Sequence, residues 1–267
     1  MKSGITAHTV VKNEDRFIWF AINSVLNFVD QLIIYDTGSQ DLTVKIIKSI
    51  SSPKIIFQQF GNQTADQITF LRQQQLTRTK TSWFLILDGD EVWWQMSIKQ
   101  IRQTTKTAHK NLWGIITPTI NSIGDIFHYQ DESAGRYKFG NHTGHLAVRV
   151  IRRDIPGIHL KNTYPLEGYY DATNTLVTDY ANKLIFQQSG YLHLTNLSRS
   201  TLPKDKAISR IFKYELGNKF SKHFEYPEVL SKKYPSFVPN PFVKMNQTTY
   251  LKAALITPLK KLKRMYT

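Results

Sequence analysis

Cysteine is absent from the 267 residues. Disulfides, thiolate metal sites and a cysteine nucleophile are therefore excluded, while the redox compartment stays open, because a chain without thiols survives anywhere. Long apolar runs are missing too. The best uncharged stretch, Phe17 to Val29, contains Asn23, Ser24 and Asn27 and falls well short of the roughly 20 residues that span a bilayer. No apolar segment of signal-peptide length follows Met1, so neither export nor a transmembrane helix is expected. Repetitive tracts are lacking, and 41% hydrophobic with 12% aromatic residues argues against disorder. Mean hydropathy of -0.35 points the same way, to a soluble globular protein.

Acidic residues are scarce in one region only. Up to Leu197 there are 20 basic and 16 acidic residues, a net of +4; beyond it there are 15 and 4, a net of +11 out of the total +15. An excess of that size suits nucleic acid, an anionic membrane or a phosphorylated ligand. In the last stretch, Leu251, Leu255, Leu259 and Leu262 recur at helical spacing, with Lys260, Lys261, Lys263 and Arg264 among them. This reads as a basic amphipathic helix interrupted near Pro258. It would lie on anionic lipid, or dock on its own domain with a solvated basic face; the pattern leaves both open.

The first hundred residues alternate. Ile5 to Val11, Gln31 to Tyr35, Ile55 to Gln59 and Trp83 to Leu87 read as short apolar strands. Helical periodicity covers 16–29, 42–50, about 66–78 and 95–107. The pattern predicts an α/β fold with a mostly parallel sheet and right-handed crossovers, whose ligands bind beyond the carboxyl ends of the strands. Every predicted strand end carries a carboxylate: Glu14, Asp36 with Asp41, Asp66, then Asp88 and Asp90. Singly, each has a plain role as a cap or turn residue.

Asp88, Asp90 and Glu91 lie within four residues. Carboxylates this close repel unless a cation or solvent compensates them. A divalent metal is the obvious cation, and oxygen ligands without cysteine favour Mg²⁺ or Mn²⁺ over zinc.

Three ordered motifs carry a resemblance: Lys12-Asn13-Glu14, Asp36-Thr37-Gly38-Ser39-Gln40-Asp41 and Leu87-Asp88-Gly89-Asp90-Glu91. Over residues 5 to about 95 the chain resembles the GT-A-fold glycosyltransferases of the family 2 type, in particular the bacterial branch with these motifs. The resemblance implies a Rossmann-like sheet flanked by helices and a metal-dependent, inverting sugar transfer from a nucleoside-diphosphate sugar, with UDP the default nucleotide. It implies nucleotide-sugar contacts at Val11, Glu14, Asp36, Asp66, Arg72 and Asp88. Metal ligation would fall to Asp90 and to His193, in the segment Tyr191 to Ser200, which resembles a family strand that ends in a metal-site His and is followed by a helix.

Val148 to Asp154 resembles a family strand that precedes an acceptor-side His-Glu pair. Here Pro165-Leu166-Glu167 stands in its place, so Glu167 is the candidate base, with Asp131 or Glu132 as alternatives. These last two sit in the polar stretch 129–144, read as a lid or a disordered connection. Trp93 and Trp94 are read as core anchors, and His142 and His145 as loop and strand residues.

Residues 1–197 are expected to form the catalytic domain, with 1–95 its nucleotide half and 96–197 its acceptor half; 198–267 form a basic helical extension. A glycan, lipid-linked or protein acceptor is implied, used in cell-surface glycan synthesis at the cytoplasmic face of a membrane. The rivals are a metal-dependent nucleotidyltransferase or nuclease, a nucleic-acid-binding protein and, because no His precedes Glu167, a non-catalytic sugar-nucleotide binder. The first two do not explain carboxylates at all the strand ends, and no nucleic acid partner is expected.

Overall fold

The computed structural model describes residues 1–197 and 215–265. Its first half is the expected alternation: β1 (Lys2–Val11), α1 (Ile18–Val25), β2 (Gln31–Asp36), α2 (Thr43–Ser49), β3 (Ile55–Gln59), α3 (Ala65–Arg78) and β4 (Thr81–Ile86). These strands lie parallel in the order β4-β1-β2-β3. Strands β2 and β4 read as nearly continuous apolar runs because helices cover both faces, whereas β1 buries Thr6, His8 and Thr9 among its apolar residues. In β2, Leu32 and Ile34 join the large core with Phe20 and Ile22 of α1, whereas Ile33 and Tyr35 pack with Leu71 of α3.

Helix α3 starts from a reciprocal capping box between Thr64 and Gln67, which satisfies backbone donors at both positions. Asp66, read singly as a cap, therefore sits in the first turn and is not the cap. Asp41 does serve the start of α2, accepting from the Thr43 N–H at 2.9 Å.

The second half contains β5 (Glu91–Trp93), α4 (Gln95–Thr107), β6 (Gly114–Ile123), β7 (Asp125–Tyr129), β8 (Tyr137–Phe139), β9 (His142–Gly144), β10 (Leu146–Arg152), β11 (His159–Lys161), β12 (Gly168–Tyr170), β13 (Leu184–Phe186) and β14 (Tyr191–Asn196). Strand β10 inserts antiparallel between β4 and β6. The result is one eleven-stranded sheet, parallel in its first half and running in both directions beyond β4. The GT-A-type layering of helices on a Rossmann-like sheet is thus present, with a mixed edge. The stretch 129–144 folds as the β8–β9 hairpin, with His145 Nε2 and the Ala134 carbonyl 2.5 Å apart at its base.

After residue 215 the chain adds β15 (Asn218–Lys219), paired with β7, and ends in α5 (Gln247–Met265). Val229, Leu230 and Val238 enter the same core as α1. Glu228 accepts a hydrogen bond from the backbone N–H of Gln95 at 3.0 Å, at the start of α4. The interruption expected at Pro258 does not occur, since α5 runs through it. The helix expected after Asn196 falls in 198–214, outside the described residues.

Candidate functional site

Lys12, Asn13 and Glu14 stitch the strand ends together. Lys12 Nζ donates to Asn62 Oδ1 at 2.9 Å, reaching the loop after β3. Asn13 sits in the left-handed region (φ 55°), where asparagine is tolerated better than most residues. Its N–H donates to Ser39 Oγ at 2.9 Å and its Oδ1 accepts from the Gln40 N–H at 2.8 Å, so it grips the loop after β2. The Glu14 N–H donates to Thr43 Oγ1 at 2.8 Å, while the Glu14 side chain reaches the loop after β4. A Cβ on Gly89 would meet Glu14 Cγ at 3.1 Å, so glycine between the two aspartates is what lets these loops approach.

Asp36, 1% exposed, accepts from the N–H groups of Gly38 and Ser39 at 3.2 to 3.3 Å. It shapes its own turn at the place expected for a nucleotide contact. Val11 is buried, and its carbonyl accepts from the Thr37 N–H at 2.9 Å. Asp66 points elsewhere: Thr163 Oγ1 donates to its Oδ1 at 2.5 Å, which ties α3 to the loop after β11. The structure does not bring Asp66 together with Asp88.

Arg72, Asp88 and Glu167 do converge. Arg72 Nε lies 3.1 Å from Glu167 Oε1, and an Arg72 terminal nitrogen lies 3.5 Å from Asp88 Oδ1. Arg149, to which no role was assigned from sequence, completes the group: it pairs with Asp88 at 2.9 Å and, at very short range, with Glu91. Glu91 is fully buried. Burial drives its carboxyl up to about 7, against the pull of Arg149. Burial also opposes ionisation of Asp88, but the guanidinium groups of Arg149 and Arg72 outweigh it and hold Asp88 below the ordinary carboxylate range.

The cations that neutralise Asp88 and Glu91 are arginines. Arg149 is aimed there by a bulge in β10, where the register against β6 shifts between Val148 and Val150; bulges of this kind re-aim side chains beside sites. A single cation inside Leu146 to Ile151 was the available signal, because a buried charge in an apolar strand demands a partner.

Asp90 and His193 remain. Pairing of β14 with β5 sets His193 opposite Glu91, and His193 Nε2 stands 3.5 Å from Asp90 Oδ1. Burial lowers the affinity of His193 for a proton, yet attraction to Asp90 prevails and its pKa is raised. Among the described residues no group of three or more His, Asp or Glu is arranged around one point. One carboxylate facing one imidazole nonetheless fits a cation such as Mg²⁺ or Mn²⁺, which takes few protein ligands and completes its shell with water and substrate phosphate.

Two cavities flank the cluster and share Arg149 and Glu167 as walls. One, of about 370 Å³, is lined also by Arg72, Asp88 and Tyr164; the other, of about 930 Å³, by His193, Tyr191, Tyr137 and residues of α5. Asp131, an alternative base, is held near a pKa of about 2 by hydrogen bonds from Ser133 and Asn218. Trp93 is fully buried against Tyr191, in line with core anchoring.

The model of the family described as "Glycosyl transferase family 2" matches residues 6–157 of the chain, more than half its length. The chain belongs to glycosyl transferase family 2. The family match contains every strand-end motif and Arg149, and stops before Glu167 and His193. An uncharacterized glycosyltransferase of Rickettsia bellii (strain RML369-C) is 34% identical over 89 residues, 33% of this chain and 28% of that protein, so the match spans less than a third of that relative. Among solved structures, S. aureus TarS 1-349 in complex with UDP-GlcNAc shares 15% identity at TM-score 0.48, covering 80% of this chain and 65% of TarS 1-349. Glucosyl-3-phosphoglycerate synthase from Mycobacterium tuberculosis, in complex with Mn²⁺, UDP and glucosyl-3-phosphoglycerate, shares 12% at TM-score 0.47, covering 78% and 76%.

Proposed function

We propose that this family 2 chain transfers a sugar from a nucleoside-diphosphate sugar, with UDP as the nucleotide, to a hydroxyl acceptor, inverting the anomeric centre. The observation that carries the reading is the convergence of Arg72, Asp88, Arg149 and Glu167 just past the carboxyl end of β4, in a family 2 sheet.

Transfer requires a leaving diphosphate to be stabilised, an acceptor hydroxyl to be deprotonated and both to be held in line. Arg72 and Arg149 bring guanidinium N–H donors to the place where leaving-group charge would grow. Glu167 is the base. Its Oε1 is oriented by Arg72, whereas its buried Oε2 has no hydrogen-bond partner among the described residues and is left to accept the acceptor's proton. Glu14, Asp36 and Val11 shape the nucleotide floor where three loops meet. Asp90 and His193 would hold a divalent metal, Mn²⁺ or Mg²⁺, which when bound supplies Lewis-acid charge for a diphosphate.

The lipid-facing reading of the C-terminal helix gains support from how α5 docks. Among its described side chains the buried ones are Ala253 and Thr257, and the Thr257 hydroxyl accepts from the Leu216 N–H at 2.7 Å. Leu251, Leu255, Leu259 and Leu262 face outward, 53% to 77% exposed. Small and polar residues hold the helix while the leucines are left over, the reverse of an ordinary docked amphipathic helix. A peripheral seat on an anionic membrane, with a lipid-linked acceptor in cell-surface glycan synthesis, fits that arrangement. Among the described residues no helix is long and apolar enough to cross a membrane.

The test is Glu167→Gln. It should bind UDP and UDP-sugars as the unaltered chain does and lose transfer by at least ~10²-fold; undiminished turnover would remove Glu167 from the role of base.

A further inference from the structure

The larger cavity joins two parts of the chain that are distant in sequence: Arg149, Glu167 and His193 of the cluster, and Lys260 and Arg264 of α5. Its volume of about 930 Å³ lies near the top of the range for ligand sites, ample for more than one sugar ring. Tyr137, 62% exposed on the β8–β9 hairpin, offers an aromatic face at the same cavity, a surface on which a sugar ring stacks.

Most of the charged groups around this space already have partners. Arg149 is matched by Asp88 and Glu91, Glu167 by Arg72, and His193 by Asp90. Arg264 is matched by buried Glu215 through two hydrogen bonds of 2.6 and 2.5 Å. That bidentate pair also fixes the last turns of α5 against the domain. Lys260, one turn before Arg264, has no hydrogen bond or ion pair among the described residues. Burial and the neighbouring Arg264 both disfavour its charged form, and Glu215 favours it. Lys260 thus brings to the cavity wall a partly buried ammonium that makes no ion pair among the described residues, a group that gains from an anionic partner.

We propose that the α5 wall of this cavity is an acceptor subsite for an anionic group, a carboxylate or phosphate carried by the acceptor glycan, with Lys260 as its binding residue. The inference rests on the transferase reading only in calling the ligand an acceptor. It narrows the acceptor class from any hydroxyl compound to an acidic glycan. Because the outward face of the same helix carries the exposed leucines, a lipid-borne acidic glycan would reach the cavity from the side on which α5 meets the membrane.

The experiment uses the full chain saturated with UDP and Mn²⁺, titrated by ligand-observed NMR with three probes: methyl glucoside, methyl glucuronide and methyl glucoside 6-phosphate. At least one charged probe should bind about tenfold more tightly than the neutral one, the factor expected from one charge-assisted hydrogen bond. Lys260→Met should reduce that preference to within about twofold, and Lys260→Arg should retain it. A preference for glucuronide alone, or for the phosphate alone, identifies the anion. Equal binding of all three probes, or a preference that survives Lys260→Met, overturns the proposal. Thermal stabilisation by UDP, recorded on the same samples, reports separately on the donor site, so a failed subsite and a failed transferase reading give different results.

Discussion

Removing Arg149 should destabilise the fold through Glu91. The Glu91 side chain is fully buried and that of Arg149 is 17% exposed, so Arg149→Met leaves a carboxylate in the interior without its cation. Asp88 suffers less, because it is 32% exposed and keeps Arg72. Breaking a buried pair from one side costs about 3–5 kcal/mol. The lower end applies here, since Glu91 already titrates at about 7 and would escape part of the cost by taking up a proton. About 3 kcal/mol corresponds to a fall in Tm of roughly 6–12 °C for a chain of this size. Methionine keeps the volume, so the cavity contribution is small. The double variant Arg149→Met with Glu91→Gln removes the stranded charge and should recover at least half of the loss, a coupling measured by urea unfolding of all four members of the cycle. A loss under about 1 kcal/mol for Arg149→Met, or no recovery in the double variant, would refute the claim that Arg149 compensates Glu91.

The folded pKa of Glu91, about 7, lies above its ordinary 4.5, so the folded state binds this proton more tightly than the unfolded state. The resulting stabilisation is complete below pH 4.5 and is lost as pH rises to about 7; relative to Glu91→Gln, the unaltered chain should lose about 3 kcal/mol across that window, and a difference that is flat with pH would contradict it. Leu255→Asp with Leu259→Asp should lower partitioning onto phosphatidylserine-containing vesicles at least tenfold with unchanged thermal stability, since both residues are 69% or more exposed and each buried leucine contributes on the order of 1–2 kcal/mol; equal co-sedimentation would remove α5 from membrane binding. Gly89→Ala sets a methyl 3.1 Å from Glu14 Cγ, and should cost about 1–3 kcal/mol by crowding while weakening UDP affinity; a variant as stable and as avid as the parent would show that the close approach is dispensable.

The parallel half of the sheet was legible because strands covered on both faces need apolar residues at nearly every position, and a run such as Gln31 to Tyr35 has few other uses. Its helices were legible from their periodicity, and Thr81–Ile86 against the expected Trp83 to Leu87 shows the scale of the boundary errors. Beyond β4 the signal fades. Strands β5, β8, β9, β11, β12 and β13 have three residues each, too few to display a period, and β5 and β13 pair with strands distant in sequence. The polar motifs were legible as to place and less so as to role. Asn13 and Asp36 organise loops because short polar side chains satisfy nearby backbone groups before any ligand arrives, while Asp66 accepts from the Thr163 hydroxyl, 97 positions away. Arg149 escaped notice for a related reason: its partners Asp88 and Glu91 are 61 and 58 positions away, and only the fold makes them neighbours.

The central claim is that the carboxyl ends of β1 to β4 hold a nucleoside diphosphate beside Asp90 and His193. A thermal-shift panel of nucleoside diphosphates and their sugar conjugates, run with and without Mn²⁺, tests it most directly. UDP at about 100 times its Kd should raise Tm by about 5 °C or more, the rise should need Mn²⁺, and it should vanish in Asp90→Ala. No response to any nucleotide, or a UDP response undiminished in Asp90→Ala, would contradict the account.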